Sequence, residues 1–242
     1  MPHFFIDSKN ISNKTITIAD KENYNHIAKS LRAKVGEDIL LIDENQIQHE
    51  SKIDKITSNS IEINVVKSYK SSRHLSFQIY LAQSPLRSEA QALIVEKATE
   101  LGVEGIYPIF TDNCSLKKSV IEQKIQKWQK IMFEASKQCE RATIPKCFEL
   151  SDMKKLIQSS DFDRVLVFTE RSADFELKSY LREHAILENE KILLVIGPEG
   201  GFSQKEFEFF AQNKITTISL GDLILKAETA VIVALGNIVL GM

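Results

Sequence analysis

The stretch LLVIGPEGGFSQKEFEFF, residues 193–210, constrains the fold more than any other part of the chain. Leu193 to Ile196 is a continuous apolar run bounded by turn residues, the pattern of a strand buried on both faces of a parallel sheet. The chain then has to reverse. Gly197, Gly200 and Gly201 tolerate positive φ and the close approach of another group, while Pro198 fixes its own φ and stiffens the loop. Ser203 with Glu206 reads as a capping box and Phe202 with Phe207 as a hydrophobic staple, so a helix is predicted to begin at Ser203. Strand, glycine loop and capped helix together put backbone donors and acceptors at the carboxyl edge of a sheet, where α/β folds bind ligands. A tight strand-to-helix turn without a ligand fits the same residues.

The surrounding sequence repeats this rhythm. After Arg73 the apolar runs LSFQIYL, VEGIYPIF, RVLVFT, ILLVI and TTISL alternate with helical patterns, among them Ser88 to Leu101 and a long one around 119–139, as in a parallel α/β sheet. The last segment, SLGDLILKAETAVIVALGNIVLGM, has the same logic: a strand ends at Leu220, Gly221 and Asp222 turn the chain, and a helix begins near Ala227. Ala230 to Leu240 is apolar almost all round, which predicts a helix buried against several partners. Lys226, Glu228 and Thr229 lie at its start, beside a second ligand-suited loop at the same sheet edge.

The first 70 or so residues differ. HFFI, KTITI, ILLID, IQHESKI and IEINVV read as short strands separated by turn signals, a small β-barrel pattern. One helix interrupts them: Asp20 is a plausible N-cap for KENYNHIAKSLR, in which Tyr24, Ile27, Ala28 and Leu31 share a face. The change of rhythm sets a domain boundary, 1–72 against 73–242, with KSYKSSR as the linker.

Charge and cysteine usage narrow the partners. The net charge of −2 over 242 residues says nothing for nucleic acid, but residues 114–146 carry eight Lys or Arg against three Glu, a local +5. From residue 147 onward the balance is −5, so a nucleic-acid phosphate contact belongs to the basic middle segment, which also reads as an ordinary solvated helix face. Three cysteines without C-x-x-C spacing argue against a disulfide framework and a zinc site, and the histidines His3, His26, His49 and His74 have no metal-ligand spacing. No apolar stretch reaches the roughly 20 residues of a membrane span, so a cytoplasmic protein is expected. Neither GPEGGFSQ nor any other segment forms a phosphate-binding loop or a dinucleotide fingerprint, and no G-x-S-x-G elbow is present.

IGPEGGFSQKE followed by SLGDLILKAETA resembles the paired C-terminal motifs of the RsmE family, bacterial methyltransferases acting on N3 of a uridine in 16S ribosomal RNA. HIAKSLRAKVGEDILLID resembles the N-terminal PUA-like domain of that family, and EKATELGV, KWQKI and QCERATIP its central segments, so the likeness covers the whole chain. The resemblance implies an α/β fold of SPOUT type, a parallel sheet with a C-terminal trefoil knot plus a small PUA-like β-barrel. It also implies S-adenosylmethionine as methyl donor, 16S ribosomal RNA or the small ribosomal subunit as partner, a homodimer, and no metal or membrane.

On the same basis the cofactor pocket takes Ile196, Gly197, Gly200, Gly201, Leu220, Gly221, Leu225, Ala227 and Thr229, with Thr169 and Glu170 as a third wall. Where the family carries arginines in the LILKAETA region this chain has Leu223 and Lys226. Lys226 keeps a charge without the bidentate fork. Catalytic roles therefore fall to Lys226, to Glu228 as its orienter or a helix-end carboxylate, and to Arg141, with Arg87 as another guanidinium. RNA contacts are expected from Lys29, Arg32, Arg87, Lys124, Lys127 and Lys130. A related enzyme acting on a ribose 2′-hydroxyl or on transfer RNA, and a non-catalytic RNA binder, are the alternatives.

Overall fold

The computed structural model describes residues 3–71, 74–159 and 161–241. The chain divides into two compact units, Met1–His74 with Ser136–Thr143, and Leu75–Ala135 with Ile144–Met242.

The first unit contains β1 (His3–Phe5), β2 (Ile11–Ser12), β3 (Thr15–Ile18), α1 (Lys21–Tyr24), β4 (Asp38–Ile42), β5 (Ile47–Ile56) and β6 (Ile61–Lys70). The strands form one sheet in the order β1-β4-β5-β6-β3-β2, in which only β1 and β4 pair parallel. Alternation decides what is buried: Ile16 and Ile18 of β3 and Ile61 and Ile63 of β6 point into a core completed by Phe4, Ile27, Ile39, Leu41 and Ile53. Asp20 caps α1 by accepting the Asn23 amide at 2.8 Å. The helix then ties β1 to the β5–β6 turn, because Asn23 Nδ2 donates to Phe5 O and the Tyr24 hydroxyl to Thr57 O.

Two sequence expectations change here. Beyond Tyr24 the helix widens into a π-helical turn, Asn25–Ser30, and the Leu31 amide bonds back five residues to His26 O at 2.9 Å. The wider turn breaks the 3.6-residue phase, so Leu31 leaves the face shared by Tyr24, Ile27 and Ala28 and is 45% exposed. The expected linker is also shorter than its composition suggests. Lys67–Lys70 belongs to β6, paired with Ile47–Glu50 beyond a bulge at Glu50/Ser51, and the Tyr69 hydroxyl donates to Glu50. Ladder bonding overrides the polar character of these four residues; Ser72 and Arg73 lie outside the described residues.

The second unit holds β7 (Gln78–Gln83), α2 (Ser88–Glu100), β8 (Gly105–Phe110), α3 (Lys118–Gln138), β9 (Lys146–Cys147), β10 (Ser151–Asp152), α4 (Met153–Ile157), β11 (Arg164–Phe168), β12 (Phe175–Glu176), α5 (Leu177–Glu183), β13 (Lys191–Ile196), α6 (Gln204–Gln212), β14 (Thr216–Ser219) and α7 (Ala227–Leu240). Every strand pair is parallel, in the order β10-β8-β7-β13-β11-β14-β12, with β9 also on β8. β13 sits near the middle, and its apolar run Ile192–Val195 is fully buried between helices on both faces.

The final helix meets several partners, as expected, but along one face only. Val231, Ala234, Leu235 and Ile238 form one buried stripe, and α7 packs along it on α2, α5 and β13. Ile232, Val233 and Val239 are only half-buried, and Leu240 is 75% exposed. A helix of period 3.6 presents one face to the layer it packs on, so its several partners share that stripe and the rest of its apolar surface stays partly open. Among the described residues no helix is long and apolar enough to cross a membrane.

Candidate active site

In a parallel sheet all strands end on one edge, so neighbouring strands in space bring their following loops together whatever their separation in sequence. β13, β11 and β14 are such neighbours. The loops after them enclose a cleft of about 830 Å³, within the size range of small-molecule and cofactor sites. Thr169, Glu170, Ile196, Gly197, Gly200, Gly201, Leu220, Gly221, Leu225 and Ala227 all line it, as do Lys226 and Glu228. Thr229 does not line the cleft; it is exposed on the first turn of α7.

The glycine loop takes its shape from local chemistry. Ser203 Oγ accepts the Glu206 amide and Glu206 Oε2 accepts the Ser203 amide at 2.7 Å, a complete capping box. The Phe202 and Phe207 rings meet edge to face at 6.4 Å between centroids, as a hydrophobic staple requires. The Gly201 amide donates to Pro198 O at 2.9 Å and closes the turn. The three glycines answer to different constraints. A Cβ at Gly197 would lie 3.3 Å from the Phe202 ring, and one at Gly200 would lie 3.2 Å from Asn113 Cβ. Gly201 has open space around that position but a φ of +66°, and Gly221 in the other loop has a φ of +113°.

One wall carries an unsatisfied polar atom. The Thr169 amide continues the β11–β14 ladder by donating to Ile218 O at 2.9 Å, which holds the side chain in the cleft wall. Its Oγ1 is buried and has no hydrogen-bond partner. A buried orphan hydroxyl costs about 1–3 kcal/mol, a cost that a polar ligand in the cleft would remove.

Charge at the site comes from the exposed Lys226, Glu170, Arg171 and Glu199 and the half-buried Glu228. Lys226 is the N-cap residue of α7 without a side-chain cap bond, and Glu228 lies in the first turn, where a carboxylate is favoured by the helix dipole. Among the described residues no ion pair or hydrogen bond joins them. Arg171, which the sequence reading passed over, lines the cleft beside Glu170. Its only signal was adjacency to the end of an apolar strand run. Glu199 also lines the cleft, and Leu223, at an arginine position of the resembled family, is a largely exposed apolar side chain.

Other predicted residues lie elsewhere. Arg141 belongs to the first unit, where its guanidinium is directed at Thr143 O and Thr143 Oγ1. Arg87 is exposed as the N-cap residue of α2, and neither arginine lines the cleft. Lys29 and Arg32 are exposed in the first unit, Lys127 and Lys130 are exposed on α3, and Lys124 is half-buried there. No cysteine lines the cleft, and burial pushes the Cys147 thiol up to about 12. Among the described residues no cluster of metal-ligating side chains occurs.

A ligand-sized cleft on three loops at the edge of a parallel sheet marks an α/β ligand-binding domain, and the chain carries a second, mainly antiparallel unit. The family described as RNA methyltransferase domain matches residues 73–239, and the RNA methyltransferase PUA domain matches residues 18–66. The chain is 30% identical over 239 residues to ribosomal RNA small subunit methyltransferase E of Buchnera aphidicola subsp. Acyrthosiphon pisum, covering 97% of this chain and 91% of the relative. The protein of the same name from Rickettsia conorii is 29% identical over 238 residues, 97% of this chain and 93% of the relative. A crystal structure of ribosomal RNA small subunit methyltransferase E from Neisseria gonorrhoeae bound to S-adenosyl methionine shares the fold. Its TM-score is 0.82 at 23% identity, over 98% of this chain and 95% of that one. The chain belongs to the ribosomal RNA small subunit methyltransferase E family of RNA methyltransferases.

Proposed function

We propose that this protein uses S-adenosylmethionine to methylate N3 of a specific uridine in 16S ribosomal RNA. The observation that carries the reading is the cleft itself: three loops at adjacent parallel strand ends, two glycines at positive φ, and the orphan Thr169 hydroxyl in the wall. That donor set suits a nucleoside joined to an amino acid. Apolar Ile196, Leu220 and Leu225 offer faces for an adenine, loop amides and carbonyls offer its edge partners, and Thr169 Oγ1 takes one polar group. When bound, S-adenosylmethionine supplies an electrophilic methyl group.

The side chains of the chain do the rest. Uracil N3 carries a proton that has to leave before or as the nitrogen attacks. Lys226, with Arg171 as a second cation on the wall, favours the anionic ring by placing positive charge where negative charge develops. Glu228 contributes at the helix end. Holding acceptor and donor in line supplies the remaining advantage through positioning. No cysteine adduct is needed, which agrees with the buried, protonated Cys147.

In this reading residues 1–72 form the RNA-binding PUA-like domain and 73–242 the SPOUT methyltransferase domain, with its chain end threaded as a trefoil knot. Lys29 and Arg32 together with Arg87, Lys124, Lys127 and Lys130 meet phosphates, since the cofactor half is itself net negative. The outer apolar face of α7, with Leu240 exposed, supports a homodimer, and the enzyme works in the cytoplasm on the small subunit. The test is nucleoside mass spectrometry of small subunits lacking the modification, incubated with the purified protein and S-adenosylmethionine. 3-Methyluridine is expected; a ribose methyl, methylation of transfer RNA alone, or no transfer rejects the proposal.

A further inference from the structure

The glycine loop is gripped from outside the cleft, by the segment that follows β8. Asn113 Nδ2 donates to Gly200 O and to Gly201 O, both at 3.1 Å and across 87 and 88 residues of chain. Both hydrogens of one amide group are thereby used on successive carbonyls of the same loop. Next to it, the Asp112 amide donates to Glu206 Oε1 at 3.0 Å, and Ser203 Oγ donates to Asp112 Oδ2 at 2.6 Å. Glu206 is 3% exposed and its carboxylate is divided: one oxygen completes its own helix cap, the other holds the β8 loop. Underneath, Ser84 joins both sides, its hydroxyl bonded to Thr111 Oγ1 at 2.7 Å and its amide donating to Ile196 O at 3.1 Å.

We propose that Asn113 is a positioning residue that presets the Gly197–Gly201 loop in its cofactor-binding conformation; the inference rests on the cofactor reading of the cleft. Even with Pro198 fixed, a loop with three glycines has many backbone states open to it, and the observed one places Gly201 at φ +66°. In a trans peptide the N–H opposes its carbonyl. Fixing Gly200 O and Gly201 O on Asn113 therefore directs the amides of Gly201 and Phe202 to the other side. The first of these closes onto Pro198 O. The space is matched as well, because a Cβ on Gly200 would stand 3.2 Å from Asn113 Cβ. Gly200 is small so that the clamp side chain can reach its carbonyls. If the loop were not held, the competent conformer would be a fraction of the population and affinity would fall by that fraction.

The test compares wild type with Asn113→Ala and Asn113→Asp in the full chain. The Asp variant presents a carboxylate, without donors, to two carbonyls. Calorimetric titration with S-adenosylmethionine is expected to show Kd raised about tenfold for Ala and further for Asp, a change of about tenfold corresponding to a competent fraction near one in ten. In turnover on small subunits the loss is expected in KM for the cofactor more than in kcat. Hydrogen exchange without cofactor provides a readout independent of binding: the peptide covering residues 197–203 is expected to exchange faster in Asn113→Ala while the strands keep wild-type protection. Equal exchange in this peptide, or equal Kd in wild type and Asn113→Ala, overturns the clamp, as does a fall in kcat with Kd unchanged. Failure of the wild type itself to bind S-adenosylmethionine overturns the cofactor reading instead, and the exchange comparison still decides the clamp.

Discussion

Gly201 offers a graded test of how the cofactor loop works. Its φ of +66° lies in the left-handed region, and no protein atom stands within 4 Å of where a Cβ would be. A substitution there is therefore strained by backbone conformation alone, without a steric contribution from neighbours. For an ordinary L-residue this strain is about 1–2 kcal/mol, less for Asn and more for a β-branched residue. The apoprotein can relieve it by letting the loop relax, but binding then has to restore the strained state. Kd for S-adenosylmethionine should rise about 5- to 30-fold for Gly201→Ala, since about 1.4 kcal/mol is a factor of ten. Gly201→Asn should lose less. Gly201→Val should lose most, because its branched side chain also enters a position lining the cleft. Isothermal titration gives the three constants, and far-UV circular dichroism should stay close to wild type because the sheet is untouched. If Ala and Asn weaken binding equally, or if Val binds like wild type, backbone conformation at Gly201 is not what the cofactor reads.

The remaining predictions concern other parts of the molecule. Replacing Cys114, Cys139 and Cys147 by Ser should leave most methyl transfer intact; loss of activity with the fold preserved would refute direct displacement by N3. Replacing Lys124, Lys127 and Lys130 by Gln should flatten the salt dependence of RNA binding by a slope of roughly 0.7–0.9 per lost phosphate contact, with cofactor affinity unchanged. An identical slope would move the RNA contact to Lys29 and Arg32. Arg164 Nε meets Glu190 Oε1 at 2.6 Å, with the side chains 16% and 8% exposed, and the same guanidinium donates to His184 O and Ala185 O. Glu190→Gln should cost about 3 kcal/mol by leaving that cation without its counter-charge, read as a lower urea midpoint, and pairing it with Arg164→Met should recover part of the loss.

Local signals in the sequence were reliable wherever the physics is local. The capping box at Ser203 and Glu206, the staple of Phe202 and Phe207, and the cap at Asp20 depend on residues three to five apart, so the same few side chains that announce them also make them. The apolar run of β13 announced a doubly covered strand for the same reason, and the alternation of strands with helices announced the parallel sheet. Where periodicity itself changed, reading it forward failed: the π-helical turn took Leu31 out of phase, and the bulge at Glu50/Ser51 let β6 run on through Lys67–Lys70.

Strand order was decided only in three dimensions. Nothing in the spacing of RVLVF, KILLVI and TTIS states that β11 lies between β13 and β14, yet that order alone brings residues 169–171, 197–202 and 220–228 around one cleft. It also places Arg171 on the wall and leaves Arg141 and Thr229 off it. The grip of Asn113 on Gly200 and Gly201 spans almost 90 residues and has no periodic trace. α7 could be read as apolar, but which of its faces is covered depends on where α2, α5 and β13 lie. Sequence by itself determined the elements, their caps and the chemistry each loop could present. Tertiary structure decided which loops meet, because pairing between distant strands is a property of the packed sheet rather than of any segment within it.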